Sequence, residues 1–235
     1  MSDPVPLVLI PGLLCDHRLF EGQINGLAGL AAVTVPDVTG PDSIGGMAER
    51  VLADAPPRFA LGGLSMGGYV SLEIMRRAPE RVTRLALIST NAHADSEEAQ
   101  AGRLALLARA GGGDFAGVVE TLLPRLLGPG SLADPARTAL VRSMAGAVGA
   151  GSFARQQQAI MGRPDSRPGL GTITCPTLVL CGREDVLTPP AAHREMAEAI
   201  DDATLVVVPR CGHLSTLEQA GAVTAQLRSW LALGD

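Results

Sequence analysis

The chain has 235 residues, 46% of them hydrophobic, which allows one substantial core and is long for one simple domain but short for two. A formal net charge of −5 offers no basic face to a nucleic acid, and all 19 basic residues are arginine. The absence of lysine excludes Walker-type phosphate binding, protein-kinase chemistry, Schiff-base and pyridoxal-phosphate catalysis and Ser-Lys dyads, each of which needs an amine.

The opening Met-Ser-Asp-Pro-Val-Pro lacks a basic region, and no apolar run reaches the roughly 18 residues of a membrane span. A soluble, cytoplasmic protein with no membrane partner is expected. Residues 7–10, Leu-Val-Leu-Ile, form the first strand, followed by a helix over 19–30 and a strand over 32–35 closed by Pro36. Ser43 caps a helix that runs to about residue 53. Strand 58–61 leads into Gly62-Gly63-Leu64-Ser65-Met66-Gly67, and a helix over 69–77 ends near Ala78-Pro79. Strand 85–88 follows.

Residues 95–171 then contain no strand-like run. They read as helices over 97–110, 115–127, 135–147 and 153–161, separated by Gly111-Gly112-Gly113, Gly128-Pro129-Gly130 and Gly149-Ala150-Gly151. Strands 177–181 and 204–208 resume the alternation. The closing helix, 217–231, carries Leu217, Ala220, Val223, Leu227, Trp230 and Leu231 at helical spacing. Six strands joined by crossovers imply a predominantly parallel sheet with helices on both faces, the α/β class.

Gly63-Leu64-Ser65-Met66-Gly67 fits Gly-x-Ser-x-Gly at a strand-to-helix turn. Such a turn strains the serine backbone, requires small residues two before and two after it, and holds the hydroxyl proud of the sheet. Downstream, strand 177–181 runs into Gly182-Arg183-Glu184-Asp185, and strand 204–208 into Pro209-Arg210-Cys211-Gly212-His213. A nucleophile, an acid and a base thus stand in the order Ser65, Asp185, His213, the last two just past strand ends. The chain resembles the α/β-hydrolases. The resemblance covers nearly its whole length, through Leu-Val-Leu-Ile-Pro-Gly-Leu-Leu-Cys-Asp, Gly-Leu-Ser-Met-Gly-Gly, Pro-Thr-Leu-Val-Leu-Cys-Gly-Arg-Glu-Asp and Gly-His-Leu.

The resemblance implies an α/β-hydrolase core formed by residues 1–94 and 172–235, with 95–171 inserted as a helical cap. It implies a serine hydrolase that cleaves carboxylic esters through an acyl-enzyme, with no metal or organic cofactor. Ser65 would be the nucleophile, His213 the general base and acid, and Asp185 the residue that orients the imidazole. Glu184 is the rival acid; Asp185 matches the family's Gly-x-x-Asp pattern. The oxyanion hole would use the backbone N–H of Met66 and, from the loop after the first strand, that of Leu13, with Leu14 as the alternative. Many relatives have His-Gly-x in that loop, where this chain has Pro11-Gly12-Leu13.

The expected substrate is a small or medium apolar acyl or aromatic ester, some of Leu104, Leu106, Leu107, Leu122, Leu123, Leu126, Met144 and Met161 facing the pocket. The same triad serves relatives that cleave carrier-protein methyl esters, thioesters, lactones or carbon–carbon bonds, so an acyl-carrier protein is among the partners the family admits. Other relatives keep the triad as non-catalytic ligand receptors. His93 is a candidate for lining the pocket, and His193 is expected at the surface. Cys15, Cys175, Cys181 and Cys211 lack metal or redox spacing and read as buried thiols, with contact of Cys15 or Cys211 to the site left open.

Overall fold

The computed structural model describes residues 3–232. Its strands are β1 (Val5–Ile10), β2 (Ala31–Thr34), β3 (Phe59–Leu64), β4 (Val82–Ile88), β5 (Thr177–Gly182) and β6 (Ala203–Val208). They form one sheet in the order β2-β1-β3-β4-β5-β6, every neighbouring pair parallel. The helices are α1 (Glu21–Gly26), α2 (Ile44–Asp54), α3 (Met66–Arg77), α4 (Glu97–Gly111), α5 (Phe115–Leu126), α6 (Pro129–Leu132), α7 (Pro135–Met161), α8 (Arg167–Leu170), α9 (Pro190–Ala199), α10 (Ser215–Glu218) and α11 (Ala220–Ala232).

The sheet's central strands are buried on both faces because crossover helices cover both, so β1, β3 and β5 read as nearly continuous apolar runs rather than alternating. In β1, Leu7 and Leu9 point into the core that holds Val223, Leu227 and Trp230 of α11. Val8 and Ile10 point into the opposite core, with Met47 and Val51 of α2, Val70 and Ile74 of α3, and Met196 of α9. The helical segment α4–α7 enters between β4 and β5, and its Val118, Leu122, Leu123, Met144 and Phe153 join the first of these cores.

Several boundaries differ from those expected. Strand β3 runs on to Leu64 because Gly62 and Gly63 are in register with Leu9 and Ile10 on one side and with Ala86 and Leu87 on the other. The helix expected over 19–30 is a 3₁₀ turn at His17–Phe20 followed by the short α1, and Gly29 at φ +80° turns the chain toward β2. The two helices expected over 135–161 are both present within α7, separated as expected at Gly149, which leaves helical geometry at φ 76° and ψ 163°. The closing helix is split, with Gln219 between α10 and α11.

Candidate active site

Strand β3 delivers Ser65 to the start of α3 with φ 57° and ψ −113°, a conformation that costs a non-glycine residue free energy. The turn closes only because its flanks are glycine. A Cβ on Gly63 would collide with the Gly67 carbonyl, and one on Gly67 with the Ile10 carbonyl. Ser65 occupies the N-cap position of α3, yet its side chain makes no capping hydrogen bond, which leaves the hydroxyl available for chemistry.

The loop after β5 carries Asp185, and the loop after β6 carries His213; they are 3% and 2% exposed. Asp185 Oδ1 accepts from the backbone N–H groups of Leu187 and Thr188, both at 2.9 Å. Its Oδ2 accepts from Thr188 Oγ1 at 2.8 Å, and His213 Nδ1 lies 3.0 Å from Oδ1 and 2.9 Å from Oδ2. Burial pushes the Asp185 carboxyl up, but the charge of His213 and the hydrogen bonds from His213 and Thr188 outweigh it and hold the group below the usual carboxylate range. An ionised carboxylate only accepts, so the Nδ1 that faces it is the donor. Glu184 is exposed; its backbone N–H bonds the Cys211 carbonyl at 2.8 Å, and its carboxylate lies beside Gly128.

Ser65 and His213 border one cavity of about 820 Å³, at the C-terminal edge of the sheet where β1 and β3 diverge in chain order. Leu13 borders it as well. The Leu14 N–H is engaged, donating to Gln156 Oε1 of α7 at 3.1 Å. Met66 is the first residue of α3, where a backbone N–H has no intrahelical acceptor. The opposite wall comes from the helical segment: Leu106 of α4, Leu122 and Leu126 of α5, and Ile160 of α7. It also carries Arg103, Arg125, Gln157 and Arg163, a more polar lining than the leucine pattern alone suggests.

Of the other expected pocket residues, Leu104 points to solvent at 56% exposure, while Met144 is fully buried in the core. His93 borders the cavity, its Nε2 2.6 Å from Glu195 Oε2. Cys15 and Cys211 are buried, outside the cavity wall, and burial raises both thiols, Cys15 to about 12. His193 is not at the surface: it is fully buried under the sheet edge, because α9 turns it toward the segment after β4 to accept from the Thr90 N–H at 2.9 Å. Burial lowers its pKa to about 4. The residues that sequence reading missed are Thr90, Thr188 and Gln156. Thr188 left a trace, since Asp-x-x-Thr after a strand is the pattern of a turn closed by an aspartate side chain.

A buried parallel sheet with a strained serine at a strand-to-helix turn and a His–Asp pair at neighbouring strand ends defines the α/β-hydrolase class of hydrolytic enzyme. A sequence model of the alpha/beta hydrolase family matches residues 7–227, and the chain belongs to that family. It is 26% identical over 223 residues to a pimeloyl-[acyl-carrier protein] methyl ester esterase of Nitrosomonas europaea, covering 88% of each chain. Among solved structures, a thermophilic esterase from Thermogutta terrifontis superposes with a TM-score of 0.89 at 29% identity, over 98% of this chain and 90% of the other. The enol-lactonase of Burkholderia xenovorans superposes at 0.87 with 26% identity, over 98% of this chain and 92% of its own. Among the described residues, no helix is long and apolar enough to cross a membrane.

Proposed function

We propose that the protein is a serine hydrolase of carboxylic esters that works through Ser65, His213 and Asp185. The observation that carries this reading is the arrangement of a strained, uncapped Ser65 on the same cavity as a His213 whose Nδ1 is held by a buried carboxylate. His213 Nε2 takes the hydroxyl proton as Ser65 Oγ bonds to the acyl carbon, and Asp185 offsets the imidazolium charge. The negative charge on the former carbonyl oxygen is met by the Leu13 and Met66 N–H groups, each donor contributing roughly 3–4 kcal/mol to the transition state. Collapse breaks the carbon–oxygen bond of the ester, and the departing alkoxide takes the proton from Nε2. Water then repeats the sequence on the acyl-enzyme, releases the acid and restores Ser65.

In this reading the helical segment 95–171 is a cap that shapes the substrate. Leu106, Leu122, Leu126 and Ile160 suit an apolar acyl or small aromatic group, with Arg125 at the rim toward solvent. Three similar proteins carry the names of ester or lactone hydrolases, which favours oxygen esters over carbon–carbon bonds. One of them names an acyl-carrier protein, so a carrier-bound acyl ester is included in the proposed substrate range. A fluorophosphonate probe followed by peptide mass mapping tests the reading. It should label one residue per chain, Ser65, while p-nitrophenyl esters of increasing chain length are turned over. A folded protein that neither labels nor turns over any ester would instead be a ligand receptor built on the same fold.

A further inference from the structure

We propose that Thr90 and His193 are positioning residues that, with Ser89, hold the loops of Ser65, Asp185 and His213 in one hydrogen-bonded frame. The proposal rests on the triad reading above. Ser89 and Thr90 directly follow β4, the strand between β3, which delivers the serine, and β5, which delivers the acid. The Thr90 hydroxyl donates to the Ser65 carbonyl at 2.8 Å. Its backbone N–H donates to His193 Nε2 at 2.9 Å, which fixes that nitrogen as the acceptor and puts the imidazole proton on Nδ1. Nδ1 faces the Pro189 carbonyl at 3.3 Å, and Pro189 follows Thr188, the residue that bonds both oxygens of Asp185. The third link is Ser89, whose Oγ lies 3.0 Å from that of Ser215, two residues beyond His213.

Ser89, Thr90, His193 and Ser215 are fully buried, and each connection ends on a different loop of the site. Thr90 fits against the elbow because residue 68 is glycine; a Cβ there would run into the threonine side chain. Strain gives the frame its purpose. Ser65 at φ 57° and Ser89 at φ 44° both sit in a sparsely populated region, and such conformations persist only where neighbours over-determine them. A neutral His193 is what the geometry needs, since a protonated ring would present a donor to the Thr90 N–H. Burial keeps the ring neutral, lowering its pKa to about 4.

The test measures ester turnover and the rate of fluorophosphonate labelling of Ser65 in the full-length protein, with stability followed separately by urea unfolding. His193→Leu and Thr90→Val should each lower kcat and the labelling rate roughly 10–100-fold while KM moves by less than about threefold, as expected for a small misplacement of reacting groups. His193→Gln returns an acceptor to the Thr90 N–H and Thr90→Ser returns the hydroxyl, so both should recover most of the rate. The double variant should lose no more than the worse single variant, because both cut one chain of bonds. Thr90→Val removes one hydroxyl at nearly constant volume, which keeps the test alive if His193→Leu fails to fold. Folded single variants that label and turn over at the wild-type rate, or that change KM alone, would overturn the frame. A wild-type protein that does not label at Ser65 would overturn the triad reading instead, and the frame with it.

Discussion

The two walls of the cavity are built on different principles. The sheet-edge wall is made of short loops whose polar atoms are already spent on one another. Asp185 is saturated by Leu187, Thr188 and His213, and Thr90 by Ser65 and His193. The helical wall mixes both kinds: Arg103 and Arg163 are paired with Asp95, whereas the leucines stand beside Arg125, which has no hydrogen bond or ion pair among the described residues. Buried, mutually satisfied polar groups rigidify a site, whereas the half-buried Leu106 and the exposed Arg125 are free to vary with the substrate they meet. Under the proposed function, chemistry belongs to one wall and selectivity to the other. The walls are not independent, however. The Leu214 N–H donates to the Leu126 carbonyl at 3.0 Å, and the Gly128 N–H donates to Glu218 Oε2 at 2.9 Å, tying the end of α5 to the loop of His213.

The sharpest way to break this division is at the sheet-edge wall. Ser65→Ala should lower kcat by roughly 10⁴–10⁶ with an unchanged fold, read by ester turnover and circular dichroism. More than about a tenth of the wild-type rate in a folded variant would remove Ser65 from the chemistry. Next in size, Asp185→Asn should cost on the order of 10⁴ in kcat, since an amide offers His213 the wrong hydrogen-bonding partner. Glu184→Gln, on an exposed side chain, should change the rate less than about twofold by the same kinetic measure. Equal losses from the two substitutions would show that the acid is wrongly assigned.

The same wall predicts a pH dependence of stability. His193 is neutral in the folded protein, with a pKa near 4 against an ordinary 6.5, so between those values the unfolded chain binds a proton that the folded one does not. Stability from this residue is complete above pH 6.5, is lost progressively as pH falls to about 4, and changes no further below that. The shift corresponds to about 3 kcal/mol. Urea midpoints measured from pH 7 to pH 4 should fall more steeply in the wild type than in His193→Leu, and parallel curves would count against a neutral buried ring.

How much of this was legible in the sequence follows the same boundary. Ser65, Asp185 and His213 stand out because the elbow needs glycines at fixed offsets and because acids and bases collect at the ends of apolar strands. The place of His193 was not legible. It lies on α9 among Arg, Glu and Ala residues, and only the packing of α9 against β5 and β6 decides which face of that helix is inward. Thr90 was hidden for a related reason: its partners are 25 and 103 residues away, and no local pattern encodes them. The leucines of the helical segment were legible as apolar but not as lining, since helical periodicity marks a buried stripe without saying whether protein or ligand covers it.

That last ambiguity supplies the smallest prediction, made on two leucines of one helix. Leu106 of α4 is half-buried and borders the cavity, whereas Leu104 on the same helix is 56% exposed and lies outside the cavity wall. If the helical wall sets selectivity, shortening Leu106 opens room beside the acyl chain without touching the groups that react. Leu106→Ala should therefore shift the preference among p-nitrophenyl esters toward longer chains, by about tenfold in the ratio of kcat/KM values, which is the scale of one or two methylenes in an apolar pocket. The change should fall mainly on KM, because the contact is made equally in the ground and transition states. Leu104→Ala should leave the chain-length profile as it is. Matching profiles for the two variants would mean that α4 does not touch the acyl chain, and would move the search for selectivity to Leu122 and Leu126 on α5.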